Sequence, residues 1–317
     1  MSRSGEFEII ERLLAPLAGE GAFSLSDDGA VLPKLSHGEA WVATKDAMVA
    51  GVHFLADDPP DLIARKLVRV NLSDLAAMGA TPMGYLLAFA LSPDCDDDWL
   101  AAFVAGLAED QKIFGIALYG GDTVSTPGPL TLSLTALGRV ERGRELRRNG
   151  ARAGEAVYVS GSVGDAALGL KCLRDGLAVR AEYRKSLIDR YRVPEARVWL
   201  GPALVGIATA CQDVSDGLAA DLGHIARRSG VGMEIDADLV PVSEAARAAI
   251  AAGSDLETLP FTGGDDYELV FTAPVEAVLP DVGVPLTRIG RVVAGDGVRF
   301  LSREREISLK QAGWRHF

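Results

Sequence analysis

Residues 62–91 read LIARKLVRVNLSDLAAMGATPMGYLLAFAL, and this stretch decides the fold class. Apolar residues recur at helical spacing from Leu62 to Met78, Gly79 ends the run, and Tyr85–Leu91 follows as a short apolar strand. The same alternation extends outward, with a strand at Ala40–Thr44 before it and a helix over Asp98–Phe114 after it. In Pro129–Val140, Leu130, Leu132 and Leu134 fall on one face and Thr131, Ser133 and Thr135 on the other, as in a half-buried strand. Glu141–Gly154 is dense in arginine, glycine and charge and lacks apolar periodicity, which marks a junction, placed near Arg148. The pattern restarts beyond it with a strand at Ala156–Ser160, a turn at Gly161–Gly164 and a helix at Asp165–Arg174. Further strands are expected at Tyr267–Thr272 and Arg288–Val293. With 317 residues and no internal repeat, the expectation is an α+β protein of two compact halves, 1–148 and 149–317.

Composition narrows the function. Asp and Glu number 44 against 32 Lys and Arg, a net charge of -12, the wrong sign for neutralising nucleic-acid phosphates. The three cysteines, Cys95, Cys172 and Cys211, lie far apart with no C-x-x-C pair, which signals neither disulfides nor zinc and fits a reducing compartment. Glu6, Glu8 and Glu11 interrupt the apolar residues of the N-terminus, which is neither a signal-peptide core nor a membrane span. A soluble, cytoplasmic protein is expected.

The informative pattern is a set of aspartates in short polar or glycine-marked breaks: Asp27-Asp28-Gly29, Thr44-Lys45-Asp46, Asn71-Leu-Ser-Asp74, Gly120-Gly-Asp122-Thr123, Asp213-Val-Ser-Asp216-Gly217 and Gly263-Gly-Asp265-Asp266. One Asp beside Gly is ordinarily a turn or a cap; six together ask for a joint explanation. Asp74 lies inside a helical run, where Leu67, Asn71 and Met78 share its face, so it faces solvent or has a cation or donor beside it. Asp122 follows the apolar strand Ile116–Tyr119, with two glycines read as a sharp turn at the strand's end. Converging carboxylates repel by about 4 kcal/mol per pair at 4 Å and an effective dielectric near 20, so they need cations. With four histidines and no thiolate cluster, hard oxygen ligands point to Mg²⁺ bridging carboxylates to phosphates, and hence to phosphoryl transfer. No P-loop, protein-kinase signature, nucleophile elbow or zincin motif competes. The turn Gly161–Gly164 is assigned to tight packing rather than to phosphate, and Asp221 and His224 to packing and capping.

Those motifs, with Lys45-Asp-Ala-Met-Val-Ala-Gly-Val-His53-Phe54, Gly263-Gly-Asp-Asp-Tyr-Glu-Leu269 and the terminal Gly313-Trp314 with Phe317, resemble the thiamine-monophosphate kinases in order and spacing from Gly5 to the last residue. The resemblance implies the fold of aminoimidazole ribonucleotide synthetase and selenophosphate synthetase: two α+β domains, with the N-terminal sheets of two subunits forming a barrel in a homodimer. It implies ATP-dependent phosphorylation of thiamine monophosphate, with residues 1–148 binding ATP and magnesium and dimerising, and 149–317 completing the active-site cleft. By motif position, Asp28, Thr44, Lys45, Asp46, Asp74, Asp122, Asp213 and Asp216 would be the magnesium ligands. Gly121, Asp122, Arg148 and Ser215 would contact ATP, and His53, Asp265 and Trp314 the acceptor. Lys45 stands where many relatives carry a hydroxyl residue, so its metal contact would come from the backbone carbonyl. Asp265 stands where many have Glu. A phosphate monoester acceptor is ionised near neutral pH, so no catalytic base is assigned. The rival reading from another class is a non-catalytic metal-binding protein that keeps the acidic residues without turnover.

Overall fold

The computed structural model describes residues 5–27, 29–251, 253, 256–303, 305–309 and 313–314. Two units emerge from the chain's internal packing, one built from residues up to Leu75 together with Ala80–Arg142, the other from Ala76–Gly79 together with Gly143 onward.

In the first unit a short helix, α1 (Glu6–Ile9), precedes β1 (Glu39–Val49), α2 (Pro60–Ala77), β2 (Thr81–Leu91), α3 (Asp97–Phe114), β3 (Ala117–Ser125) and β4 (Thr131–Glu141). The strands form one sheet in the order β1-β4-β2-β3, antiparallel except for the parallel pair β2 and β3, which α3 connects. Leu132 and Leu134 are fully buried, whereas Thr131, Ser133 and Thr135 are half-buried, the expected alternation of a sheet with one packed face. Helices α2 and α3 cover that face: Phe103 meets Phe89 of β2 edge-on with centroids 5.4 Å apart, and Arg69 of α2 grips the buried Asp110 of α3 at 2.8 and 2.9 Å. Asp96 caps α3, accepting the Trp99 N–H, and Gly115 ends it in the left-handed conformation. The opposite face leaves Ala43, Lys45, Ala47 and Leu86 exposed.

One expectation is corrected. The strand that begins near Ile116 does not end at Tyr119; β3 continues through Gly120 and Gly121 to Ser125, with a bulge opposite the Tyr85–Leu86 step. Glycine serves close approach here rather than a turn, since a Cβ on Gly121 would lie 1.8 Å from the Leu87 carbonyl oxygen of β2. Gly121→Ala is therefore expected to push β2 and β3 apart and to cost about 1–3 kcal/mol. A fall in the denaturation midpoint measures it, and an unchanged midpoint would refute the contact.

The second unit runs β5 (Ala156–Ser160), α4 (Asp165–Arg174), α5 (Ala181–Arg192), α6 (Leu200–Ala203), β6 (Ala210–Asp213), α7 (Leu218–Ser229), β7 (Gly232–Asp236), α8 (Glu244–Ile250), α9 (Leu259–Thr262), β8 (Leu269–Ala273), β9 (Leu286–Val293), β10 (Val298–Ser302) and β11 (Arg305–Glu306). Its sheet has the order β11-β10-β7-β9-β5-β8-β6. Every residue of β5 and β8 is buried, because both faces are covered: Val157, Val159 and Val270 pack with Leu218, Leu222 and Ile225 of α7, while Tyr158 and Phe271 pack with Leu200 and Leu204. Strand β8 starts two residues later than the sequence suggests, because Tyr267 takes a left-handed φ of 53° that an extended strand does not accommodate. Among the described residues no helix is long and apolar enough to cross a membrane.

Candidate active site

Each unit carries its own set of polar groups. In the first, the pleat of β1 turns Thr44 and Asp46 toward α2 and leaves Lys45 exposed on the other face. The Thr44 hydroxyl donates to Asp74 Oδ2 at 2.5 Å, and the Asp46 N–H donates to Asn71 Oδ1 at 3.0 Å. Asn71, fully buried, gives its own Nδ2 to the Leu67 carbonyl, so the one-turn spacing of 67, 71 and 74 ties α2 to β1 at both polar residues. Burial, and next the negative charge of Asp74, push the Asp46 carboxyl up to about 6. A hard-oxygen carboxylate that burial and a neighbouring carboxylate drive toward protonation, as at Asp46, is suited to a divalent cation, which reverses that balance. The side chain of Lys45 points away from this pair, so its positive charge stays off a cation held there.

Asp122 is in register with Ala88, and therefore on the opposite face of the sheet from Asp46, whose row runs through Leu134, Leu87 and Gly121. It is exposed, and Oδ1 accepts the N–H of Thr123 at 2.9 Å. His53 sits in the turn after β1: the Val49 N–H donates to its Nδ1 at 3.0 Å, and buried Lys66 donates to its carbonyl at 3.1 Å. With Nδ1 accepting, the neutral ring carries its proton on Nε2. Asp28 and Phe317 lie outside the described residues.

In the second unit, Asp213 ends the edge strand β6, and Val214–Gly217 lead into α7. Asp221, in the first turn of α7, folds back: Oδ2 accepts the N–H groups of Asp216 and Gly217, both at 3.1 Å, and Oδ1 accepts Gln212 Nε2 at 2.7 Å. Burial, with the Asp216 charge second, pushes Asp221 up to about 7. Ligand atoms of Asp216, Asp221 and His224 lie within 4.8 Å of one another. Both oxygens of Asp221 already serve N–H donors, however, so Asp221 caps the loop, while His224 Nδ1 lies 2.9 Å from Arg227 on the same helix. Burial and the charges of Arg227 and Arg148 lower the His224 pKa, which places the exposed Arg148 guanidinium in the electrostatic range of this helix face.

Two further segments attach to the same loop through its backbone. The Asp265 N–H donates to the Ser215 carbonyl at 2.9 Å, and the Trp314 N–H to the Asp216 carbonyl at 3.0 Å. Glycine before Asp265 permits this, since a Cβ on Gly264 would lie 2.4 Å from the Ser215 oxygen. Asp213, Ser215, Asp216, Asp265 and Trp314 are thus gathered by one loop, with the Trp314 ring half-exposed. The neighbouring acids serve another purpose. Asp266 accepts the N–H groups of Gly164 and Ala166 at 2.6 and 3.3 Å, filling the N-terminus of α4 with a carboxylate that burial pushes up to about 8. The turn Gly161–Gly164 is accordingly a packing turn whose amides face protein. Glu268, fully buried, accepts Ser160 Oγ, Arg190 and Arg197. Sequence gave no sign of this cluster, because its arginines come from distant positions.

Comparison with known proteins follows the same division. The family model of the AIR synthase related protein N-terminal domain matches residues 26–140, and that of the C-terminal domain matches residues 152–302. The chain is 44% identical to the thiamine-monophosphate kinase of Caulobacter vibrioides over 98% of its own length and 90% of that protein. It is similar to the crystal structure of thiamine-monophosphate kinase from Stenotrophomonas maltophilia K279a, at TM-score 0.80 and 43% identity, over 87% of this chain and 89% of that one. AaThiL complexed with AMPPCP and TMP superposes at TM-score 0.81 and 31% identity, covering all of this chain and 99% of that one.

Proposed function

This chain belongs to the AIR synthase related family, among the thiamine-monophosphate kinases, and on that premise we propose that it transfers the γ-phosphoryl group of ATP to thiamine monophosphate, forming thiamine diphosphate. The observation that carries the reading is the pairing of Asp46 with Asp74 on β1 and α2, a half-buried acidic pair suited to a divalent cation, in a chain whose relatives are kinases.

Thr44, Asp46 and Asp74 would hold magnesium on the α2 side of the sheet and Asp122 on its opposite face, Asp28 and the carbonyl of Lys45 would add ligands in the first half, and Asp213 and Asp216 would hold magnesium in the second. Bound magnesium would neutralise the phosphate oxygens and stabilise the charge that develops during in-line transfer. Gly121, Asp122, Arg148 and Ser215 hold the nucleotide; a guanidinium such as Arg148 pairs with phosphate oxygens in a bidentate manner. His53 offers a neutral Nε2–H to the acceptor. Asp265 counters the positive charge of the thiazolium, and the Trp314 ring supplies a stacking surface. The acceptor phosphate, with a second pKa near 6, is already an ionised nucleophile, so no side chain has to take its proton. The unit that ends at Arg142 would contribute Thr44, Asp46, Asp74, Gly121 and Asp122, and the unit that runs from Gly143 would contribute Arg148, Asp213, Ser215, Asp216 and Asp265.

The exposed face of the four-stranded sheet, which leaves Leu86 40% exposed, supports a homodimer in which two such sheets close into a barrel. Three buried free cysteines agree with a cytoplasmic enzyme. Purified protein given ATP and thiamine monophosphate is expected to form thiamine diphosphate and ADP only when magnesium is supplied. ADP without thiamine diphosphate would assign a different acceptor, and absence of turnover despite ATP and metal binding would assign a non-catalytic role.

A further inference from the structure

Residues 265–268 alternate in burial: Asp266 and Glu268 point inward, at 1% and 0% exposure, while Asp265 and Tyr267 are half-buried. The two inward carboxylates are fully committed. Asp266 caps α4, and Glu268 receives Ser160, Arg190 and Arg197. Arg190 also donates to the Asp266 carbonyl at 3.2 Å, so one guanidinium fastens both the backbone and the side chain of the segment. On the other edge, the N–H groups of Asp265 and Tyr267 bond the carbonyls of Ser215 and Val214, and the Val214 N–H bonds the Glu268 carbonyl. Between these fastenings Asp265 and Tyr267 both hold left-handed backbone, at φ 70° and 53°, a conformation that non-glycine residues keep only when their surroundings enforce it.

The outward pair is in contact, the Tyr267 hydroxyl donating to Asp265 Oδ1 at 3.1 Å. A carboxylate that a phenol on rigid backbone holds by one oxygen keeps fewer orientations than one without that bond. We propose that Tyr267 is a positioning residue for the acceptor, fixing the Asp265 carboxylate so that it meets a cationic heteroaromatic phosphate ester in one orientation. The proposal rests on the assignment of Asp265 to acceptor binding. The Tyr267 hydroxyl acts on the acceptor through Asp265.

Tyr267→Phe removes the hydroxyl and keeps a ring of the same shape on the same backbone. It is expected to raise the KM for thiamine monophosphate roughly 3- to 10-fold, the range of one lost hydrogen bond. The KM for ATP and the thermal midpoint should stay at their wild-type values. In an Asp265→Ala background the same substitution should add nothing, because the group it positions is gone. An unchanged acceptor KM in Tyr267→Phe, an equal loss in both backgrounds, or a parallel rise in the KM for ATP with a fallen midpoint would each overturn the proposal. An acceptor KM that Asp265→Ala leaves unchanged would remove Asp265 from the acceptor site and the proposal with it, while wild-type formation of thiamine diphosphate would still uphold the kinase reading.

Discussion

Asp74→Asn is expected to lower kcat by about 10²- to 10³-fold at saturating ATP and thiamine monophosphate, the loss typical of one preorganised electrostatic group worth roughly 3–4 kcal/mol. The substitution is nearly isosteric, and the amide oxygen can still accept the Thr44 hydroxyl that Asp74 Oδ2 accepts at 2.5 Å. Asp74 is half-buried, so the helix needs no new space. What disappears is one of the two negative charges that face each other between α2 and β1, the charge that helps push Asp46 up to about 6. Heat denaturation separates this loss from misfolding. Without magnesium the variant should melt at or slightly above the wild-type temperature, since a repulsion is relieved. With magnesium the wild type should gain stability by RT ln(1 + [Mg]/Kd), and the variant should gain much less. Near-normal turnover together with an undiminished magnesium shift would take Asp74 out of the metal site.

That Asn71 and Asp74 share one face of α2 was legible in the sequence because that periodicity is local, whereas the strand was expected to end at Thr44, short of Asp46, and its convergence with α2 is tertiary. A period of 3.6 puts Asn71 and Asp74 on the face of Leu67, and a period of 2 puts Thr44 with Asp46 and against Lys45. The same rule would have placed Asp122, but only with the register of β3 in hand. The bulge at Tyr119 and the close passage of Gly121 over Leu87 are properties of a strand pair, which one strand's sequence does not carry. The acids of Gly263-Gly-Asp-Asp-Tyr-Glu268 looked alike in sequence. Their division into an outward Asp265 and inward Asp266 and Glu268 depends on Gly164, Ser160, Arg190 and Arg197, all more than a hundred or several tens of residues away. A side chain's partner at long range is set by topology, and a single sequence without its contacts does not reveal topology at that resolution.

Glu268→Ala is the change with the largest expected effect on stability, because it removes the buried carboxylate that two poorly solvated guanidinium groups share. Arg190 reaches Glu268 Oε1 at 2.9 Å and Arg197 reaches Oε2 at 2.6 Å, with the two arginine side chains only 14% and 15% exposed. Removing one member of such a cluster leaves uncompensated charge in a poorly solvated site, at a cost of about 3–5 kcal/mol. Ser160 loses its acceptor as well, although its oxygen still receives the Leu269 N–H. Against a stability of roughly 5–15 kcal/mol, this is enough to unfold much of the population on mild heating, and the thermal midpoint should fall by about 6–20 °C. Glu195, 58% exposed, stays beside both arginines but is too well solvated to replace a buried partner. Glu268→Gln, which keeps an oxygen for one arginine and loses the charge, should lose less. Adding Arg197→Met to it, which removes one of the two positive charges, should recover part of that loss, because contacting members of one charge network do not contribute additively. A Glu268→Ala midpoint within 2 °C or so of the wild type would mean that the arginines find water or Glu195 instead, and that the left-handed backbone at Asp265 and Tyr267 is held by the Ser215 and Val214 carbonyls alone.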